Sequence, residues 1–199
     1  MLINKDKSKI SIKSFNKATG TPILFIHGFT GSYASWEEII KTSGRYAYAL
    51  DIPGHGGSFF KDINESYTIS DWCSELYILL HTLNINKITL CAYSMGGRLA
   101  IAFASKYPDK IESLILESAS VGIEQREDRI ERYEADKTLT AFIKEDFFEF
   151  IDSWEKNNLF SKQEERNKKA WKQQREIRKK HNKEQLAKAL EIFSIGNMP

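Results

Sequence analysis

Cysteine is scarce in this chain: 199 residues contain two, Cys73 and Cys91. No Cys-x-x-Cys pair and no Cys/His spacing suggests a zinc site or a disulfide framework. Long apolar runs are missing too. No stretch approaches the length of a membrane span, and the N-terminus, Met1-Leu2-Ile3-Asn4-Lys5-Asp6, has no apolar signal region. These absences argue for a reduced, cytoplasmic setting without membrane attachment. Charge of one sign is also lacking. Lys plus Arg number 29 against 27 Asp plus Glu, a net charge of +2, so no global field argues for nucleic acid. The exception is local: residues 161–191 carry eleven Lys/Arg against five Asp/Glu. With few aromatics and mixed signs there, a solvated helical face is the expectation rather than a polyanion site.

What is present fits one globular unit. Hydrophobic residues make up 41% and charged residues 28%, and 199 residues can bury one substantial core, with room for an inserted cap. Ile10 to Phe15 alternates and reads as an edge strand. Pro22 to Ile26, Tyr46 to Leu50, Lys87 to Ala92 and Ile111 to Leu116 read as strands. Ser32 to Lys41 and Ile69 to Leu83 read as helices, the second with Ser70 or Asp71 as its cap. Alternating strands and helices favour a parallel sheet covered on both faces, with functional groups at the C-terminal ends of the strands. His27 to Phe29, Asp51 to Ser58, Ser94 and Glu117 to Ser120 all fall at such ends.

Beyond Val121 the texture changes. Leu139, Phe142, Ile143, Phe147, Phe150, Ile151 and Trp154 recur at helical spacing without a sustained heptad, which favours a helical cap over a linker or a coiled coil. The chain thus divides into a core at 1–120, a cap at 121–191 and a short return toward the core at 192–199.

Ser94 carries the chemistry. It stands in Cys91-Ala92-Tyr93-Ser94-Met95-Gly96-Gly97-Arg98, between a strand and a helix, the setting of a nucleophile elbow. Small residues flank it because the turn is sharp. The amides of Met95 and of Phe29, in His27-Gly28-Phe29, make a two-donor oxyanion hole. A serine needs a base, and here the histidines do not oblige. His27 belongs to the oxyanion loop and is expected to brace it. His55, in Pro53-Gly54-His55-Gly56-Gly57, reads as a packed structural residue. His81 and His181 read as solvent-facing. Arg98 lies one helical turn past Ser94, on a face expected to be buried, and a buried guanidinium requires an anion.

Together these segments resemble the α/β-hydrolase superfamily and, more narrowly, the family of 2-succinyl-6-hydroxy-2,4-cyclohexadiene-1-carboxylate synthases of menaquinone and phylloquinone biosynthesis. His27 to Ser32 and Asp51 to Gly56 are shared widely across the superfamily. Arg98 after Gly96-Gly97, the run Glu117-Ser118-Ala119-Ser120, the spacing of Arg129, Arg132 and Asp136, and Trp154-Glu155 with Leu159-Phe160 are the more specific features. The resemblance implies an α/β-hydrolase fold with a mostly parallel sheet and a lyase that eliminates pyruvate from a cyclohexene tricarboxylate. Ser94 would act with a histidine, and the amides of Phe29 and Met95 would hold the enolate. Arg98, Arg129, Arg132 and Arg178 would clamp carboxylates, with Tyr93 and Trp154 lining the pocket. Arg175 or Lys179 could replace Arg178. No metal or organic cofactor is implied, and the partner is a small polycarboxylate, with the protein a monomer or weak homo-oligomer. Two departures stand out. Ala92 replaces the first elbow glycine, and the family's last strands, with the triad Asp and His, have no counterpart before Pro199. The resemblance therefore implies a truncated enzyme of little activity. An esterase or carbon–carbon bond hydrolase on the same scaffold, and a non-catalytic fragment or binding module, are the alternatives.

Overall fold

The computed structural model describes residues 1–160 and 162–198. Its centre is a mixed sheet. Strands β1 (Leu2–Asn4), β2 (Ser8–Phe15), β3 (Ile23–Ile26), β4 (Ala47–Leu50), β5 (Phe59–Phe60), β6 (Ile88–Tyr93) and β7 (Ile111–Glu117) run in the order β1-β2-β4-β3-β6-β7, with β5 beside β2. β4, β3, β6 and β7 are parallel, and β2 is antiparallel to β4. The stretch expected as an edge strand, Ile10 to Phe15, is flanked instead by β1 and β4. The N-terminal residues that show no sequence pattern supply that edge.

Strand alternation explains the two layers. Leu24, Ile26, Leu50, Leu90 and Ala92 face one large core. There α2 (Ile69–Thr82) contributes Trp72, Leu76 and Leu79, and α3 (Met95–Lys106) contributes Leu99 and Phe103. Phe25, Ala47 and Ala49 face the other way, onto Trp36 and Ile40 of the first helical segment, a 3-10 turn at Tyr33–Trp36 running into α1 (Glu37–Ser43). The cap of α2 is Thr68, not Ser70 or Asp71. Its hydroxyl accepts from the Asp71 amide at 3.1 Å while Asp71 reaches back to the Thr68 amide at 2.9 Å, a reciprocal capping box.

The remaining elements are helical: α4 (Arg126–Glu145), α5 (Phe147–Lys156), α6 (Gln163–Arg166), α7 (Lys168–Lys179) and α8 (Lys183–Ile192). The apolar spacing from Leu139 to Trp154 is broken at Asp146, which leaves the helical region and caps α5 through the Glu149 amide at 3.0 Å. Ile143, Phe150, Leu186, Ala189 and Phe193 join the same core as the sheet. The helices are thus seated on the strand ends by apolar burial. Among the described residues no helix is long and apolar enough to cross a membrane.

Candidate active site

The strand-to-helix turn after β6 holds Ser94 in a left-handed conformation, φ 51° and ψ −116°. Such a φ is costly for a residue with a Cβ and persists only where neighbours over-determine it. The neighbours are visible. The Ser94 amide donates to Glu117 O at 2.9 Å, at the end of β7, and Ser94 O accepts from the Arg98 amide at 3.1 Å. A Cβ on Gly96 would lie 2.3 Å from the His27 carbonyl oxygen, so only glycine lets α3 approach β3 this closely. A Cβ on Gly28 would lie 2.7 Å from Tyr93 Cδ1 and 3.3 Å from Ser94 Cβ. The Gly28–Phe29 peptide is therefore packed directly against the elbow.

His27 fixes that peptide. Its buried ring accepts from the Ile52 amide at Nε2, 3.0 Å, which leaves the proton on Nδ1 to donate to Gly28 O at 2.7 Å. The Gly31 amide donates to the same oxygen at 3.0 Å. With Gly28 O held on one side, the Phe29 N–H of the same planar group is aimed to the other. Among the described residues neither this N–H nor that of Met95, the first of α3, donates to another group of the chain. Two free amide donors beside one serine can hold a developing oxyanion.

Two of the histidines, His27 and His181, are held by other hydrogen bonds, whereas both buried ring nitrogens of His55 lack a partner. His55 is buried, its ring 5.0 Å from that of His27 and 5.4 Å from that of His181. His181 is not solvent-facing as its lysine-rich surroundings suggest. It is 6% exposed, accepting from the Gly56 amide at Nδ1 (3.1 Å) and donating from Nε2 to Thr30 O (3.0 Å). Burial holds His27 and His181 down to about 4 and His55 well below the ordinary imidazole range. His81 is exposed. Among the described residues no histidine hydrogen-bonds to Ser94, and no cluster of His, Cys, Asp and Glu has the geometry of a metal site.

The arginines fall into distinct environments. Arg98 is half-buried; its Nη2 donates to Phe193 O at 3.3 Å and its buried Nε has no partner. Burial, then the nearby Arg132, lower its affinity for its proton to about 10, against the pull of Asp136. Arg132 is exposed and pairs with Asp136 at 2.9 Å, whose other oxygen accepts from Ser194. Arg129 turns back onto the Ile123 and Glu124 carbonyls, both at 2.9 Å. Arg178 is buried and donates to Glu155 Oε1 at 2.9 Å and to Thr30 Oγ1 at 3.3 Å. Arg175 also meets Glu155, and Asp152 as well. Tyr93 is near enough to Arg178 to feel its charge. Trp154 stands edge-on to Phe29, centroids 5.4 Å apart, with its buried indole N–H unpartnered.

The structure thus gathers Ser94, Phe29, Met95, Tyr93, Trp154 and Arg178 at the ends of β3 and β6, with Arg98 one turn further along α3. It leaves Arg129 and Arg132 bound to groups of their own chain. Sequence reasoning gave no role to Glu155, which neutralises two arginines from a different helix, nor to the grip of His181 on Thr30. Neither pairing follows a helical spacing. Arg132, expected to clamp a carboxylate of the substrate, instead pairs with Asp136 four residues on along α4. A groove of about 780 Å³ lies away from Ser94, between α2, α3 and α8, lined by Ile69, Cys73, Ile101, Lys106 and Ile192 among others.

Comparison with known proteins agrees with this geometry. Residues 21–193 match the model of the alpha/beta hydrolase fold. The chain is 34% identical over 181 residues to a protein of Bacillus subtilis (strain 168) provisionally assigned as 2-succinyl-6-hydroxy-2,4-cyclohexadiene-1-carboxylate synthase, covering 89% of this chain and 65% of that protein. It is 30% identical over 183 residues to the synthase of that name from Citrobacter koseri, covering 90% of this chain and 70% of that one. Among solved structures, MenH from S. aureus superposes with a TM-score of 0.87 at 29% identity, over 96% of this chain and 72% of that one. The chain therefore spans about two thirds of the length of these relatives. It belongs to the α/β-hydrolase fold family and, within it, to the family of the 2-succinyl-6-hydroxy-2,4-cyclohexadiene-1-carboxylate synthases.

Proposed function

We propose that this chain carries the serine, the oxyanion hole and a carboxylate-binding arginine of a lyase that eliminates pyruvate from 2-succinyl-5-enolpyruvyl-6-hydroxy-3-cyclohexene-1-carboxylate. The observation that carries this reading is the pairing of an elbow serine and two free amides with a half-buried arginine one helical turn away that makes no ion pair among the described residues and whose Nε is buried without a partner. A neutral ester has no use for such a charge; a tricarboxylate does.

The bond changes follow from the two compounds. The proton alpha to the succinyl ketone leaves C2 of the ring toward Ser94 Oγ. Its electron pair forms C2=C3, the C3=C4 pair moves to C4=C5, and the C5–O bond breaks to release the enolate of pyruvate, which takes a proton from solvent to become pyruvate. Charge passes through the ketone oxygen as an enolate, opposite the Phe29 and Met95 amides. Arg98 takes one carboxylate, and the paired Arg178 with Trp154 shapes the opposite wall. Ser94 reaches this role only when a base takes its own proton, and among the described residues no histidine is hydrogen-bonded to it, so slow turnover is expected of these residues alone. Losing a triad base costs orders of magnitude in rate.

A lactate dehydrogenase-coupled assay of pyruvate release tests this. Slow release that disappears in Ser94→Ala supports the reading. Turnover of nitrophenyl esters with no pyruvate release overturns it.

A further inference from the structure

His181 sits in the turn between α7 and α8, 6% exposed and 151 residues from the oxyanion loop it touches. Its Nδ1 accepts from the Gly56 N–H, and an amide N–H can only donate, so the proton of the neutral ring is on Nε2 and points at Thr30 O. From there a continuous path of peptide groups leads to the elbow. Thr30 O and the Gly31 N–H belong to one planar group, and that N–H donates to Gly28 O at 3.0 Å. Gly28 O and the Phe29 N–H belong to the next. Each donation into a carbonyl polarises its own peptide and strengthens the donor at the far end. Thr30 is held at φ 63°, a conformation that a residue with a side chain keeps only under external constraint, and Arg178 grips its hydroxyl from the end of α7.

We propose that His181 is a positioning residue for the oxyanion hole, acting on the Phe29 N–H through the Thr30–Gly31 and Gly28–Phe29 peptides. This rests on the reading of Phe29 and Met95 as oxyanion donors to Ser94. The cap turn and the hole then form one unit: when the turn lifts, the loop loses the bond that sets it. His27 reaches Gly28 O from inside the core, whereas His181 reaches the same peptide pair from the cap. The hole is complete only with the cap seated.

The two isosteric amides separate this role from mere packing. In His181→Gln the side-chain amide falls near the position of Nε2 and can still donate to Thr30 O. In His181→Asn it falls near Nδ1, so it can still meet Gly56 but not Thr30. Two readouts are taken on the chain as it stands: amide hydrogen exchange of Gly31 by NMR, and affinity for phenylboronic acid. The boron of this probe accepts Ser94 Oγ, the serine proton passes to buffer, and the resulting tetrahedral anion is seen by boron NMR. Loss of one hydrogen bond predicts that His181→Asn speeds Gly31 exchange and weakens boronate binding by about tenfold each, while His181→Gln stays within about threefold of wild type. Equal effects of the two variants, or no effect of either, overturn the proposal. If the wild-type chain forms no tetrahedral adduct, the oxyanion reading fails, and the Gly31 contrast alone still decides whether His181 sets the loop.

Discussion

Arg178 Nη1 lies 2.9 Å from Glu155 Oε1, with both side chains buried, so this arginine of α7 is paired with a carboxylate of α5. Arg175 shares the same carboxylate. Removing that carboxylate strands a buried guanidinium. Glu155→Gln is expected to cost about 3–5 kcal/mol in urea unfolding, the range for breaking one partner of a buried pair. An effect under about 1 kcal/mol would show that the pair is solvated and idle.

Arg98 is the contrasting case. The only described hydrogen bond of its side chain is to the Phe193 carbonyl, and its Nε is buried without a partner. In a Ser94→Ala background, Arg98→Met is expected to weaken binding of the tricarboxylate by about tenfold to a hundredfold, the worth of one charged hydrogen bond. Urea stability should fall by less than about 1 kcal/mol, because no ion pair is broken. Isothermal titration together with unfolding separates the two quantities.

The three buried rings make stability depend on pH with a fixed sign. His27 and His181 titrate at about 4 in the fold, against about 6.5 when unfolded. Below about pH 6.5 the unfolded chain takes up protons that the fold refuses, so stability is complete above that value and drains away as pH falls toward about 4. At about pH 5 His27 and His181 should each remove roughly 2 kcal/mol. Asp51, raised by burial, works in the opposite sense at lower pH. The charged neighbours facing the cluster are Asp51 and Arg178. Urea midpoints from about pH 7.5 down to about pH 5 read the slope, and a flat profile would contradict the neutral, buried rings.

β7 pairs only with β6 among the described residues, and Leu114, Ile115 and Leu116 are 37, 51 and 40% exposed along it. An apolar edge with open backbone groups is a template for another strand. The chain is expected to self-associate with rising concentration, and Ile115→Lys to return it toward monomer in light scattering. A wild-type chain that stays monomeric at high concentration would remove this edge as a contact.

Much of this was legible because it is local. Periodicity placed β3, β4, β6, β7 and α2 to within a residue or two, and the small residues around Ser94 gave the elbow, since a tight turn leaves its mark in adjacent positions. The misses are non-local. Ile10 to Phe15 reads as an edge because its alternation says nothing of the short strand that covers it. His181 reads as exposed because it stands in a lysine-rich segment, while its own ring is drawn inward by Thr30 and Gly56, far away in sequence. Arg178 reads as a free clamp because Glu155 lies on another helix. Spacing records neighbours along one element; it does not record which element packs opposite.

The account turns on whether one ligand joins the elbow to Arg98. The most direct measurement is a crystal structure of Ser94→Ala with 2-succinyl-5-enolpyruvyl-6-hydroxy-3-cyclohexene-1-carboxylate bound. The account predicts a ligand carboxylate on the Arg98 guanidinium in place of the Phe193 carbonyl, with the succinyl ketone oxygen within hydrogen-bond reach of the Phe29 and Met95 amides. A ligand seated elsewhere, with Arg98 still on Phe193 and both amides bare, would contradict it.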